Sequence, residues 1–233
     1  MDGARVIDAH VHVACPDKVR FPRHPTGVGT DWWTSDGSDD QLRCNLVANG
    51  VERAVIVQST GLYAYDCRCA AAVVAAEPDR FALVTTLDMD ADDPAALVEA
   101  HAATGAVGVR AASAAAEEPP WLSDGRGAAV WDAAERAALS IVALVRTPHL
   151  DALGALCRRA PSVPVVLDHC GMPRLDGPGA DEAVLRAAAV PSLHMKVTTL
   201  NLAGALAEKA GVLLDDAERA DLLAATSLRL WWP

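Results

Sequence analysis

The sequence predicts an α/β fold, a (β/α) barrel of the TIM type that is incomplete or distorted, with seven recognisable parallel strands and C-terminal helices. Seven short runs rich in Val, Ile and Leu alternate with alanine-rich stretches of helical periodicity. Most of these runs are almost continuously apolar, which is typical of parallel strands covered on both faces. No run is followed by a glycine-rich dinucleotide or phosphate-binding loop, and this favours a barrel over an open doubly wound sheet.

The predicted elements follow one another along the whole chain. Strands are predicted at residues 5–11, 53–59, 81–87, 106–110, 140–146, 163–169 and 193–199. Helices are predicted between them at residues 39–50, 65–77, 93–105, 128–138 and 148–160. Asp93 before Pro94 indicates a helix start, and Gly50 and Gly105 indicate helix ends. Two further helical stretches, 201–211 and 215–233, follow the seventh strand, and no eighth strand is recognisable.

Two irregular segments are predicted at the mouth of the barrel. Residues 15–40 are rich in Pro, Gly and Asp, are too long for an ordinary strand–helix connection, and are interpreted as a lid or mouth loop. Residues 117–127 form a second irregular stretch after the fourth strand. In a barrel both segments lie at the C-terminal ends of the strands, where active sites form.

The amino-acid composition indicates which class of protein this is and which kinds of partner it binds. A length of 233 residues suits one domain, predicted to span residues 1–233, and 52% hydrophobic against 22% charged residues predict a soluble, globular chain. The net charge of −11 disfavours nucleic acid and membrane surfaces, so a small-molecule substrate is expected. The N-terminus shows no export signal, which predicts a cytoplasmic protein. The six cysteines are too sparse for a disulfide framework and are interpreted as reduced thiols.

Two histidines in the first strand are the first candidate site residues. His10 and His12 lie two residues apart, so the period of a strand predicts that both project from the same face. Imidazole is the commonest metal ligand, and such a pair can supply half of a divalent site. The alternative is a hydrogen-bonded pair that orients an anion. The spacing leaves both readings open.

Five further residues are predicted to act at the ends of other strands. His169 ends the sixth strand, where a histidine of a barrel is expected to be functional. Lys196, inside an apolar strand, is expected to point into the polar mouth rather than lie buried without a partner. Arg110 and Arg146 end the fourth and fifth strands and are expected to bind a carboxylate, and Gln58 is expected to hydrogen-bond the substrate.

Six motifs in register resemble the amidohydrolase-2 family of metal-dependent hydrolases. They are IDAHVHV, GVERAVIVQ, GAVGVRA, VVLDHCGMPR, LHMKV and a final LRLW. Phe21-Pro22, VQS after the second strand and DHCGMP are most similar to the 2-pyrone-4,6-dicarboxylate lactonase and sugar lactonase branch. The resemblance implies a TIM-like barrel in which His10, His12 and His169 surround a divalent ion such as zinc or, in the pyrone lactonase branch, the substrate without metal.

The sequence departs from this family's pattern at two strands. Metal-binding members carry a histidine at the end of the fifth strand, where this chain has Val145-Arg146, and the family's eighth-strand motif G-S/T-D-W-P is not found after Lys196. Water activation would then fall to His169 or to the His10–His12 pair. With seven strands, the terminal helices or a homodimer are expected to cover the gap in the barrel.

Three functional hypotheses follow from these residues and the resemblance. The first is hydrolysis of a small carboxylated or phenolic lactone-like substrate, with catalytic His169, His10, His12 and Lys196. The second uses the same groups for decarboxylation, isomerisation or cyclisation in a biosynthetic pathway, which the missing aspartate motif favours. The third is a catalytically inactive binding homologue.

Overall fold

A computed structural model describes residues 5–24, 37–112, 119–172, 180–197, 217 and 220–232. The fold is α/β, with seven parallel strands and intervening helices of the (β/α) barrel class, as the sequence predicts. The strands are β1 (Ile7–Val11), β2 (Arg53–Val57), β3 (Phe81–Asp88), β4 (Gly108–Ala112), β5 (Ser140–Ala143), β6 (Val165–Leu167) and β7 (Leu193–Met195).

The helices alternate with these strands. They are α1 (Asp39–Ala48), α2 (Thr60–Tyr63), α3 (Arg68–Ala76), α4 (Val98–Ala102), α5 (Arg126–Arg136), α6 (Leu150–Arg159), α7 (Ala180–Ala188) and α8 (Thr226–Trp231). The predicted end signals are confirmed: Gly50 and Gly105 have φ of +65° and +82°, which a glycine adopts without strain. The backbone N–H of Ala96 donates to Asp93 Oδ1 at 3.1 Å, so Asp93 caps the turn that leads into α4.

The chain divides into two compact units. Unit 1 comprises Met1–Thr86, Thr104–Val107 and Asp215–Pro233, and unit 2 comprises Leu87–Ala103 and Gly108–Leu214. The prediction of one domain over residues 1–233 stays a prediction. Among the described residues, no helix has both the length and the apolar character needed to span a bilayer.

In unit 1, strand β1 pairs with β2 and β2 pairs with β3, all in parallel. The core of this unit is formed by apolar side chains of β2, β3 and α3, which include Ile56, Leu83 and Val73. Helix α8 contacts β1, with Trp231 buried, and the Arg53 guanidinium lies 5.1 Å from the centre of the Trp232 ring. A terminal helix therefore covers part of β1, which was one of the two expectations for an incomplete barrel.

Unit 2 contains the parallel ladder from β4 through β5 and β6 to β7. Its core is centred on Trp121 and Trp131, whose fully buried rings stack with centroids 6.0 Å apart. Because β5 and β6 are buried along their length, their side chains are apolar on both faces, which is the pattern that identified them in the sequence.

The interpretation of all six cysteines as reduced thiols is wrong for two of them. Cys15, after β1, and Cys69, in α3, form a disulfide with their Cα atoms 5.9 Å apart. The fold of unit 1 brings together two residues separated by 54 positions in the sequence, and their spacing gave no sign of it. The other four cysteines are free thiols.

The predicted lid at residues 15–40 falls largely outside the described residues, as do the helical stretch 201–211 and part of the segment 117–127. What is described of the lid is its two ends, including Phe21, which is buried in the core of unit 1. The lid itself stays a prediction.

Candidate active site

The histidine pair, His10 and His12, lies at the C-terminal end of β1 in unit 1. The register between β1 and β2 shifts between Asp8 and Val11, so one extra residue is accommodated next to His10. The backbone N–H of His10 donates to Asp8 Oδ1 at 2.9 Å instead of joining the ladder. This irregularity reorients the end of the strand, as bulges near functional sites commonly do.

The two imidazoles of the histidine pair bring their Nε2 atoms close together. His10 Nε2 and His12 Nε2 lie 3.2 Å apart, and the two rings are almost perpendicular with centroids 4.8 Å apart. His12 Nδ1 lies 2.6 Å from the carbonyl oxygen of Val57. A carbonyl only accepts, so His12 carries its proton on Nδ1, and in the neutral ring the lone pair is on Nε2. Both histidines are half-buried.

This arrangement fits a divalent cation. Metal-binding histidines ordinarily donate their second N–H to a carbonyl or carboxylate, which fixes the tautomer and the direction of the ring, and Val57 does this for His12. His12 Nε2 offers one lone pair of the donor type that zinc prefers, and His10 Nε2, 3.2 Å away, would offer a second once its ring carries the proton on Nδ1. The prediction that these two residues belong together is therefore supported by their geometry.

Unit 2 holds a second group of candidate residues, here called the cationic cluster: Arg110, Asp168 and Lys196. Arg110 Nε donates to Asp168 Oδ2 at 2.7 Å, and Lys196 Nζ lies 3.2 Å from Asp168 Oδ1. All three side chains are buried, with 6%, 0% and 4% of the residue surface exposed. Strand β4 supplies Arg110, the end of β6 supplies Asp168, and the residue after β7 is Lys196.

His169 follows Asp168 in a left-handed turn. His169, Cys170, Gly171 and Met172 have φ of +53°, +50°, +74° and +48°, so the chain reverses sharply as β6 ends. The turn is held by Thr147 Oγ1, which donates to the carbonyl oxygen of Gly171 at 2.9 Å, and by Cys170 Sγ, 3.4 Å from the carbonyl oxygen of Lys196. Backbone strain in non-glycine residues is concentrated at functional sites because such sites require particular side-chain directions.

The imidazole of His169 is held in its neutral form. Burial lowers its pKa below the ordinary histidine value, and the charges of Arg110 and Lys196 lower it further, while the Asp168 carboxylate acts in the opposite direction. A neutral imidazole at pH 7 can accept a proton or bind a metal ion. This suits both roles that the sequence suggested for His169.

Two of the predicted substrate-binding residues lie elsewhere. The Gln58 side chain is buried and bonded to the backbone: its Nε2 donates to the carbonyl oxygen of Ala64, and its Oε1 accepts from the Thr86 N–H at 2.8 Å. These bonds give Gln58 a structural role in unit 1. Arg146 is exposed in the turn after β5, away from the other cations of unit 2 that the structure groups around Asp168. Substrate binding by Gln58 and Arg146 stays a prediction.

Asp168 is the residue that sequence reasoning missed. It was noted only as the neighbour of His169, whereas the structure places it between the two buried cations. The sequence did contain a signal for its role: Asp168 directly follows the apolar run Val165–Leu167, and Arg110 and Lys196 were expected on other strands of the same sheet. Buried cations require an anionic partner, and Asp168 was the acidic residue in the same layer.

Comparison with known proteins now identifies the family. A family model described as amidohydrolase matches residues 7–229, a range that includes the histidine pair and the cationic cluster. The chain belongs to the amidohydrolase family. This confirms the membership that the six sequence motifs predicted. A search of curated proteins finds no significant match.

Several solved structures share the fold of this chain. An amidohydrolase from Burkholderia multivorans with bound zinc is 17% identical, with a TM-score of 0.72 over 97% of this chain and 99% of that one. A probable 2-pyrone-4,6-dicarboxylic acid hydrolase from Acinetobacter baumannii with citric acid bound is 14% identical, with a TM-score of 0.68 over 97% and 98%. The 5-carboxyvanillate decarboxylase from Sphingomonas paucimobilis is 14% identical, with a TM-score of 0.61 over 99% of both chains. At these identities the similarity establishes the fold.

Proposed function

We propose that the protein is a hydrolase that opens a small, carboxylated, lactone-like ring. The observation that carries the proposal is the cationic cluster, in which two buried cations share one carboxylate in a chain whose net charge is −11. A local excess of positive charge in a strongly acidic protein favours an anionic small molecule. The probable 2-pyrone-4,6-dicarboxylic acid hydrolase among the solved structures makes a pyrone dicarboxylate the first substrate to test.

The proposed chemistry assigns one task to each group. Arg110 binds a substrate carboxylate, and Lys196 stabilises the oxyanion that forms when water attacks the lactone carbonyl. His169 accepts the proton of the attacking water and returns it to the ring oxygen when the C–O bond of the lactone breaks. Arg110, Lys196 and His169 all belong to unit 2, so the groups that bind the substrate carboxylate, stabilise the oxyanion and accept the proton are carried by one compact unit.

A divalent ion such as zinc would be held by His10 and His12 of unit 1. When bound, such an ion would polarise the lactone carbonyl and lower the pKa of bound water. In the metal-free alternative, His10 Nε2 donates a hydrogen bond to the substrate, His12 Nε2 accepts one, and His169 remains the proton acceptor. The same side chains take part in the metal-bound and the metal-free alternative, so the metal content and the role of each residue are tested in separate experiments.

Metal content can be measured without knowing the substrate. Elemental analysis of protein purified without added metal, followed by zinc titration calorimetry, is expected to give one high-affinity site that is lost in His10→Ala and in His12→Ala. His101→Ala is the matched control, because His101 lies in helix α4 rather than at a strand end. Zinc affinity equal in all four proteins would exclude the histidine pair as the metal site.

Product masses test the reaction itself. Incubation with 2-pyrone-4,6-dicarboxylate is expected to add one water to the substrate, and turnover is expected to fall at least 100-fold in His169→Ala, the scale of a lost general base. Undiminished turnover in both His10→Ala and His169→Ala would remove these residues from the mechanism. Binding without any change of substrate mass would support the inactive binding homologue instead.

Decarboxylation is the second candidate function. It is favoured by the sequence after Lys196, which contains no G-S/T-D-W-P motif, and by the fold shared with 5-carboxyvanillate decarboxylase. A decarboxylase needs no activated water, only a proton donor at the carbon that loses the carboxylate, and an imidazole can supply it. Loss of carbon dioxide from 5-carboxyvanillate, with no hydrolysis of the pyrone, would select this function.

A further inference from the structure

Asp168 occupies an unusual position for a carboxylate. No part of the residue is exposed, and it follows directly on the buried strand β6. A buried carboxylate is costly unless strong partners compensate for lost hydration. Its partners here are two cations that the sequence placed on different strands, so the carboxylate is a junction between β4, β6 and β7 within unit 2.

The two oxygens of Asp168 are divided between the two cations. Oδ2 accepts from Arg110 Nε, and Oδ1 lies next to Lys196 Nζ. One carboxylate thus fixes two long, flexible side chains, each of which loses considerable rotational freedom when it is held. It balances one of the two positive charges that these side chains carry.

We propose that Asp168 is a positioning residue, which holds Arg110 where it binds the substrate carboxylate and Lys196 where it stabilises the oxyanion, and does not touch the substrate itself. The proposal rests on the proposed function, because it assumes that these cations bind an anion. It also gives a reason for the order Asp168-His169. The ion pairs anchor the last residue before the left-handed turn and so set the starting point of the His169 side chain.

An effect of the Asp168 charge and an effect of positioning predict opposite changes in anion affinity for Asp168→Asn. This substitution keeps the shape of the side chain and removes the negative charge, so an effect of charge alone would strengthen the binding of an anion. Loss of positioning weakens it, because the two cations are no longer held together. The sign of the change in affinity therefore separates the two roles.

The probe is isophthalate, an aromatic dicarboxylate that the proposed hydrolysis cannot cleave, with binding measured by calorimetry. Asp168→Asn is expected to bind isophthalate at least tenfold more weakly than the wild type. Asp151→Asn is the matched control, since Asp151 pairs with Arg186 at 3.1 Å on an exposed surface of the same unit. Its affinity is expected to be unchanged. Equal or tighter binding by Asp168→Asn would overturn the positioning role.

Two further measurements keep the test decisive. If Asp168→Asn does not fold, Asp168→Glu takes its place, because it retains the charge and displaces the carboxylate by one methylene. Weaker isophthalate binding by Asp168→Glu is again expected. Unchanged binding would overturn the proposal. If the wild type binds no isophthalate, the proposed anion site fails, and nuclear magnetic resonance of the Arg110 Nε–H then decides the role of Asp168. A protected Nε–H signal that is lost in Asp168→Asn supports positioning, and a signal retained in the variant refutes it.

Discussion

The Cys15–Cys69 disulfide should contribute a large share of the stability of unit 1. The perturbation is reduction of the wild-type protein by a dithiol, which leaves the sequence unchanged. The bond joins residues 54 positions apart. In the chain-entropy model, closing a loop of that length removes about 14 cal/mol/K from the unfolded chain, which corresponds to about 4 kcal/mol at room temperature.

That free energy gives a measurable shift in melting temperature. For a chain of this size, each 1 kcal/mol corresponds to about 2–4 °C, so reduction should lower the melting temperature by on the order of 10 °C. The assay is thermal unfolding followed by circular dichroism, with and without the dithiol, together with a count of free thiols. Four free thiols are expected in the oxidised protein, at Cys44, Cys67, Cys157 and Cys170.

Variants separate the disulfide from other effects of the reductant. The double variant Cys15→Ser with Cys69→Ser should unfold at the same temperature in both conditions. Cys44→Ser, which removes an exposed free thiol, should keep the full dependence on the reductant. Six reactive thiols in the native protein, or an oxidised wild type that melts no higher than the reduced one, would refute the reasoning.

Four other substitutions test local features of the fold. Burial lowers the pKa of His101 in the folded protein, so the unfolded chain takes up the proton first as the pH falls below about 6.5. The free energy of unfolding therefore decreases over that range. His101→Gln should flatten this decrease, as measured by urea titrations between about pH 7 and pH 5. Gly127→Ala should lower the free energy of unfolding by about 1–3 kcal/mol, because the added Cβ would lie 2.5 Å from the Trp121 carbonyl oxygen. Gly154→Ala, inside helix α6, should be neutral or stabilising by up to about 1 kcal/mol. Thermal melts measure both changes. Gln58→Leu should cost about 1–3 kcal/mol in the same melts, since two buried backbone groups lose their partner.

Each of these expectations has a contrary outcome. A pH dependence of stability that His101→Gln leaves unchanged would exclude that histidine as its source. Equal melting temperatures for the two glycine variants would contradict the predicted clash. A Gln58→Leu protein of normal stability with a raised KM would restore the substrate-binding role that the sequence suggested.

The strands were predictable because their physical signal is local. Buried parallel strands must be apolar on both faces, so runs such as Val165–Leu167 identify themselves without any knowledge of their neighbours. The grouping of His10 with His12 was also local, since they lie two positions apart at the end of one strand. The extra residue beside His10 was not predictable, because it depends on the register with β2 and on the Asp8 side chain.

The features that the sequence did not reveal depend on contacts between distant residues. The Cys15–Cys69 bond spans 54 positions, and Asp168 lies 58 positions from Arg110 and 28 from Lys196, and no spacing rule covers such distances. The backbone partners of Gln58 were not predictable for the same reason. A polar side chain at a strand end can face a ligand or the protein backbone, and only the path of the chain around it determines which.

The left-handed turn that carries His169 has a consequence for engineering. His169, Cys170 and Met172 each occupy a conformation that costs a side-chain-bearing residue roughly 1–2 kcal/mol. A protein optimised only for thermal resistance would have glycine or asparagine there. Stabilising replacements should therefore be sought at Cys170 and Met172 first. A library of variants that stabilises this turn and keeps His169 would show how much thermal stability the protein loses in directing that imidazole.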